Sequence, residues 1–373
     1  MATIQKGFLE DAGPLLDRGR DWAGLGGDAL AFSLAKVCVG GRFLVVVDAQ
    51  DQAARLRRGL QFFHPEPGEI CAFPADDHRP YDGFSPDPDL PRQRQRTLRK
   101  VEAGGPVLVV ASVRALMQRV PDLETRRLGT RLLTVGEVAE RDTLISWLAD
   151  AGYLAVGRVD GPGSFAVRGD IIDIWPVGRS APARVDFFDD EIEEIRPIDI
   201  ETGRTTGDLQ RLIILPSREE RLDGAALDRL HAELGRFVAE QGRGVTLRRR
   251  VYEELRAGVR FSGVEDWLPA LVPTEDPLAP MADLRQIVVM PDDVGATARD
   301  FEEMAVRRWK SLDDDERPLV PPHERFVAAS AVLEQISDAH RVFGIGRDNS
   351  VDLQAAAAEG FAVRGTELAP VVA

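Results

Sequence analysis

The chain reads as an α/β protein with a strand-rich segment set between helical and parallel-sheet regions. Three observations predict this. Short, continuous apolar runs such as Phe43–Val47 (FLVVV) and Val107–Val110 (VLVV) suit strands covered on both faces of a parallel sheet. Helix-period segments alternate with them over residues 1–125, the pattern of a doubly wound domain. Over 153–215 the pattern changes to consecutive short strands with turn residues between them, and helices return over 216–325.

Taken in order, Phe43–Val47 forms a first buried strand, and Ala53–Phe62 follows with apolar residues at helical spacing. Ile70–Phe73 is a second strand, and the Pro- and Asp-rich stretch Pro74–Pro91 is loop. Gln93–Val101 is a basic helix, Val107–Val110 a third strand, and Ser112–Arg119 a helix with Ser112 placed as N-cap. The connector Arg126–Gly152 holds an amphipathic helix over Arg141–Ala151. Beyond the strand-rich segment, Ala225–Gln241 is strongly helix-periodic and Ile287–Met290 (IVVM) is another buried strand. A helix over Arg325–Ser337 precedes VFGIG and a weakly patterned tail, and the short acidic cluster Asp313–Glu316 reads as a solvated loop.

A length of 373 residues favours two or three domains, and 44% hydrophobic content supports real cores. The net charge of −15 favours solubility and protein partners and disfavours a free-standing nucleic-acid binder, which needs a basic face. Cys38 and Cys71 match no metal or disulfide spacing and read as core thiols. The five histidines form no HxxxH pair, so no metal site is expected. The first residues contain no apolar signal-peptide core, and no run reaches membrane length, so the expected location is cytoplasmic with no membrane contact.

Four motifs could carry chemistry. Gly24-Leu25-Gly26-Gly27-Asp28 sits before a helix, where a phosphate-binding loop would need a lysine and a hydroxyl. Asp28-Ala29 puts an acid there instead, so nucleotide binding at Gly24, Gly26, Gly27 and Asp28 is not expected. Val185–Glu191 (VDFFDDE) resembles a magnesium-binding strand end, but the following IEEIRPID resumes alternation, so Asp189-Asp190 reads as a hairpin turn. Arg92, Arg94, Arg96, Arg99 and Lys100 are spread around their helix and read as solvated, making local ion pairs; Arg248–Arg250 is equally ambiguous. On the strand around Arg184, Ala183, Val185 and Phe187 share a core face, which leaves Arg184, Asp186 and Phe188 outward. Arg168 precedes Gly169, where a bulge or close backbone approach is expected, and DIIDIW can bring it near Arg184. Two arginines and an exposed aromatic make a candidate binding face; the alternative is a covered Phe188 with both arginines paired to Asp170, Asp173 or Asp186.

Several stretches resemble the UvrB-like module of the bacterial transcription-repair coupling factors (Mfd). They are FPADDHRPYDGFSPDPDL from Phe73, VLVVASVRALMQRV ending at Val120, the Gly163–Thr206 stretch with its RxDFFDDEI-x-x-IR pattern, GVEDWLPAL from Gly263 and RPLVPPHE from Arg317. The resemblance runs from about Gly24 to His323, and UvrB shares a looser version of the middle motif.

The resemblance implies a degenerate RecA/P-loop-like parallel-sheet domain in two halves (1–127 and 216–325), with an inserted β-rich domain at 128–215. Residues 326–373 are then a linker or the start of a further domain. It also implies a non-catalytic module without a cofactor, whose β-rich domain binds UvrA through Arg168, Arg184 and Phe188. RNA polymerase and DNA are expected to be engaged only through the polymerase-binding domain and ATP-dependent translocase motor, which this chain lacks. The alternatives are an ATP-dependent helicase or UvrB-type subunit and a direct damaged-DNA binder; the missing GK[ST] and the acidic balance disfavour them in turn.

Overall fold

The continuous apolar runs lie where two covered faces require them. The computed structural model of the chain describes residues 21–314, 317–344 and 351–352. Seven strands form one sheet in the order Val351–Asp352, Trp22–Ala23, His340–Val342, Arg285–Val289, Arg42–Val47, Val107–Ser112, Ile70–Phe73. Every pairing in it is parallel. Leu44, Val46, Val109 and Ala111 face a layer containing Leu98, Leu116, Phe301 and Val332. Phe43, Val45, Leu108 and Val110 face the opposite layer, with Leu30, Leu34, Leu56 and Leu60. Helices therefore cover both sides, as the lack of alternation in these strands demanded.

The sheet draws strands from both ends of the chain, so the two expected halves are one folded body. The helix read over Arg325–Ser337 is shorter, Ala329–Gln335, because Arg325 ends a separate turn, Pro322–Arg325. The expectation that residues from 326 onward form a linker or a new domain does not hold for 326–343. Phe326, Val327, Ala329 and Val332 pack in the main core, and His340–Val342 is an inner strand of the sheet. Most of the chain's 216–271 stretch is not sheet-bearing: helices Gly224–Gln241 and Val245–Arg256 pack with Trp267, Leu271 and Leu319 around a core of their own. Ser112 occupies the expected N-cap position but caps nothing; its hydroxyl donates to Gln50 Oε1 at 3.1 Å. The weakly patterned tail beyond 352, the end of VFGIG and part of the acidic cluster Asp313–Glu316 lie outside the described residues.

The strand-rich body is a five-stranded sheet in the order Glu191–Pro197, Ala183–Phe188, Ile171–Trp175, Ser164–Arg168, Leu154–Ala155. Its inner face packs against helix Arg141–Asp150 through Leu144 and Leu148, and against the ladder of Arg131–Thr134 with Arg211–Ile214. Ala183, Val185, Phe187, Ile192 and Ile195 fill this core, the set that alternation selects.

Three distant motif segments meet where the bodies join. Ser85 Oγ donates to Glu265 Oε2 at 2.8 Å, and the Tyr81 hydroxyl donates to the Val320 carbonyl at 3.3 Å. Gly263 stands so close to Gly83 that a Cβ on it would come 3.0 Å from the Gly83 Cα. At the centre, buried Arg94 donates through Nε and Nη2 to both oxygens of Glu219 at 2.7 Å, and through Nη1 to Asp76 at 2.8 Å. Arg325 reaches the other Asp76 oxygen at 3.3 Å. Burial alone would push the Asp76 carboxyl up, but Arg94 and Arg325 outweigh it and hold it below the usual carboxylate range. The helix read as solvated is therefore divided: Arg94 is an interior residue, while Arg96 and Arg99 are exposed.

Candidate docking face of the strand-rich body

The outer face of the five-stranded sheet is set by register. Arg168 pairs with Ile171, which pairs with Asp186; Ala166 pairs with Asp173, which pairs with Arg184. Cross-strand partners project to the same side. Arg168, Asp173, Arg184 and Asp186 therefore share the face opposite the core. Phe188 ends its strand on that face and is 68% exposed. The alternative in which a helix covers it is excluded by that exposure; helix Arg141–Asp150 lies on the inner side.

The two turns at this end of the sheet hold the geometry. Asp189-Asp190 forms the hairpin turn expected, with Asp189 at φ 51°, a left-handed conformation that aspartate tolerates better than most residues. Gly169, expected to mark a bulge or a close approach, instead turns the hairpin between Ser164–Arg168 and Ile171–Trp175. Its φ is 59°, and a Cβ there would meet nothing within 4 Å, so conformation alone calls for glycine. The Phe187 N–H donates to the Asp170 carbonyl at 2.9 Å, which ties the two turns together.

The arginines differ in how committed they are. Arg184 donates Nε and Nη2 to the two oxygens of Asp173 at 2.7 and 2.9 Å, a bidentate pair. Hydrogen bonding to Asp173 raises its already high pKa, so it is a fixed cation. The ion-pair alternative thus holds for Arg184. Arg168 is exposed and donates Nη2 to the Gly157 carbonyl at 3.0 Å; no carboxylate pairs with it among the described residues.

The face includes a residue that the sequence reading missed. Arg196 lies directly opposite Arg184 and pairs with Asp186 at 2.6 Å and Glu194 at 3.2 Å. A bulge puts it there: the register shifts between Asp186 and Phe187, so both Glu193 and Glu194 turn outward while Ile192 and Ile195 stay in the core. The alternation break EIEEI is the sequence signal that could have located it.

The glycine loop keeps the strand–turn–helix course of a phosphate loop. Trp22–Ala23 leads through Gly24 (φ 72°) and Gly27 (φ 52°) into helix Gly27–Val37. Asp28 is exposed in the first helical turn, where its carboxylate complements the helix dipole at the place a phosphate would take. Cys38 and Cys71 are both free and buried, and burial pushes the Cys38 thiol up to about 12. Among the described residues no helix is long and apolar enough to cross a membrane.

Comparison with known proteins places this face in a defined class of domain. Residues 132–219 match the UvrB interaction domain, the interval that contains the five-stranded sheet and its ladder. Over most of its length the chain is similar to transcription-repair-coupling factors. It is 28% identical to that of Haemophilus influenzae over 85% of this chain and 27% of the relative. For the Escherichia coli protein the values are 29% identity, 70% and 23%; for the Myxococcus xanthus protein, 30%, 79% and 26%. The chain thus spans about a quarter of the length of the curated relatives it matches. These likenesses support the resemblance to a UvrB-like module of that family which the motifs carry.

Proposed function

We propose that this chain is a UvrA-docking module that acts in transcription-coupled nucleotide excision repair, by binding rather than by catalysis. The observation that carries this is the exposed Phe188 on the same free sheet face as Arg168 and Arg184, inside the interval matching the UvrB interaction domain. Phe188 supplies an apolar anchor, Arg168 has donors to spare, and Arg184 offers the outer edge of a guanidinium that Asp173 holds still. The similarity to transcription-repair-coupling factors supports the repair setting, with RNA polymerase and DNA engaged through other parts of a longer protein and the module working in the cytoplasm. Asp28 in place of a lysine supports a module without ATP turnover.

Calorimetric titration with UvrA tests the reading. Phe188→Ala removes a buried anchor from the complex, which costs about 2 kcal/mol, roughly thirtyfold in affinity. Its melting temperature should stay near that of the parent chain, because the side chain is outside the core. Equal affinity in parent and variant would remove the assignment.

A further inference from the structure

We propose that the cleft between the parallel-sheet body and the strand-rich body is a binding site for a small phosphate-bearing anion of diphosphate size. The cleft has a volume of about 310 Å³ and is walled by Arg57 from helix Gln50–Phe63, Arg92 and Arg96 from helix Asp89–Glu102, and Arg179 from the turn after Ile171–Trp175. Four guanidiniums thus face one acid, Asp89, in a chain whose net charge is −15. Asp89 is already used: it accepts from Arg92 Nη1 at 3.0 Å, while Arg92 Nε donates to Ser217 Oγ at 2.9 Å. Arg57, Arg96 and Arg179 have no salt bridge and no side-chain hydrogen bond among the described residues, and Arg179 Nε is buried without a partner.

The cleft is also held in place. The Arg179 carbonyl accepts from Trp175 Nε1 at 3.1 Å, and its N–H donates to the Pro176 carbonyl at 3.2 Å, so the turn carrying it is fixed from both sides. Gly178 has φ +87° and lies over Arg96; Gly163 has φ +81°, and a Cβ on it would come 2.5 Å from Arg92 Nη2. Both glycines let the strand-rich body approach the arginines closely. Like charges gathered at a body-to-body seam repel one another, and an anion between them offsets that repulsion.

The chemistry selects the ligand class. Three free guanidinium forks reach in from three separate elements. A phosphate offers several oxygens in a tetrahedral array and can accept from all of them, whereas one carboxylate has two oxygens. The small volume disfavours a long polyanion, most of which would lie outside the cleft.

Calorimetry with inorganic pyrophosphate at physiological salt tests this. The chain should bind one equivalent saturably. Arg96→Gln/Arg179→Gln should bind at least about tenfold more weakly, through the loss of charge-assisted hydrogen bonds, and the exposed control Arg249→Gln should match the parent. Should the double variant melt early, Arg57→Gln alone supplies the comparison and should also bind more weakly. No saturable binding by the parent chain, or undiminished binding by a folded cleft variant, overturns the proposal. A single-stranded oligonucleotide that binds more tightly than pyrophosphate and loses affinity in the same variants overturns the small-anion assignment.

Discussion

Arginine does opposite work in two regions of this molecule. At the junction, Arg94 is 2% exposed and spends Nε, Nη1 and Nη2 on Glu219, Asp76 and the Pro74 carbonyl. On the outer sheet face, Arg168 is exposed and gives a single hydrogen bond to a backbone carbonyl. A charge taken from water must find all its partners within the chain, so a junction arginine has nothing left for another molecule. An exposed arginine keeps its hydration and its free donors until a partner replaces them. Arg184 stands between these cases, half committed to Asp173 and half open.

That contrast can be broken by substitution. The largest effect is expected at the junction. Arg94→Ala leaves Asp76 and Glu219 buried without their shared cation, a loss on the order of 3–5 kcal/mol; chemical denaturation should show it directly. UvrA affinity of the folded fraction should stay unchanged, and a selective loss of affinity with normal stability would reverse the assignment of the two regions.

Arg184→Ala should come next and show a mixed signature. Asp173 is buried and loses a bidentate partner, a cost of roughly 1–3 kcal/mol, and the outer face loses a fixed donor. Both the melt and the UvrA titration should move. Arg168→Ala should move only the titration, so a matched stability loss in the two variants would show that the face is held together by these residues rather than offered by them.

A further test at the junction is its pH dependence. Burial pushes the Asp266 carboxyl up to about 7, against the pull of Arg325. Folding then favours the protonated form, so this group's contribution is intact below its unfolded pKa of roughly 4 and is lost as pH rises toward and through 7. Asp266→Asn should therefore raise the melting temperature more at pH 8 than at pH 4. An equal change at both values would show that Asp266 does not titrate in that window.

The division between the regions was only partly legible in sequence. Alternation along Ala183–Phe188 was enough to send Phe188 outward, because one core residue in every two fixes the face of a strand. The buried strands were equally plain, since only a doubly covered sheet tolerates FLVVV and VLVV. The fate of Arg94 was not, because its partner Glu219 lies 125 positions away and no local spacing announces it. The bulge at Glu193-Glu194 also escaped the reading. Without it the Asp189-Asp190 turn would set Ile195, not Arg196, opposite Arg184. The strand His340–Val342 was missed as part of the sheet because its neighbours, Trp22–Ala23 and Arg285–Val289, come from both ends of the chain.

Amide hydrogen exchange of the chain with and without UvrA locates the docking surface. Slowed exchange should centre on the Asp189-Asp190 turn and the strands Ala183–Phe188 and Ser164–Arg168, with helix Asp89–Glu102 unchanged. Protection confined to that helix and the junction, with the Phe188 hairpin exchanging as it does alone, would contradict the assignment of the outer sheet face as the docking surface.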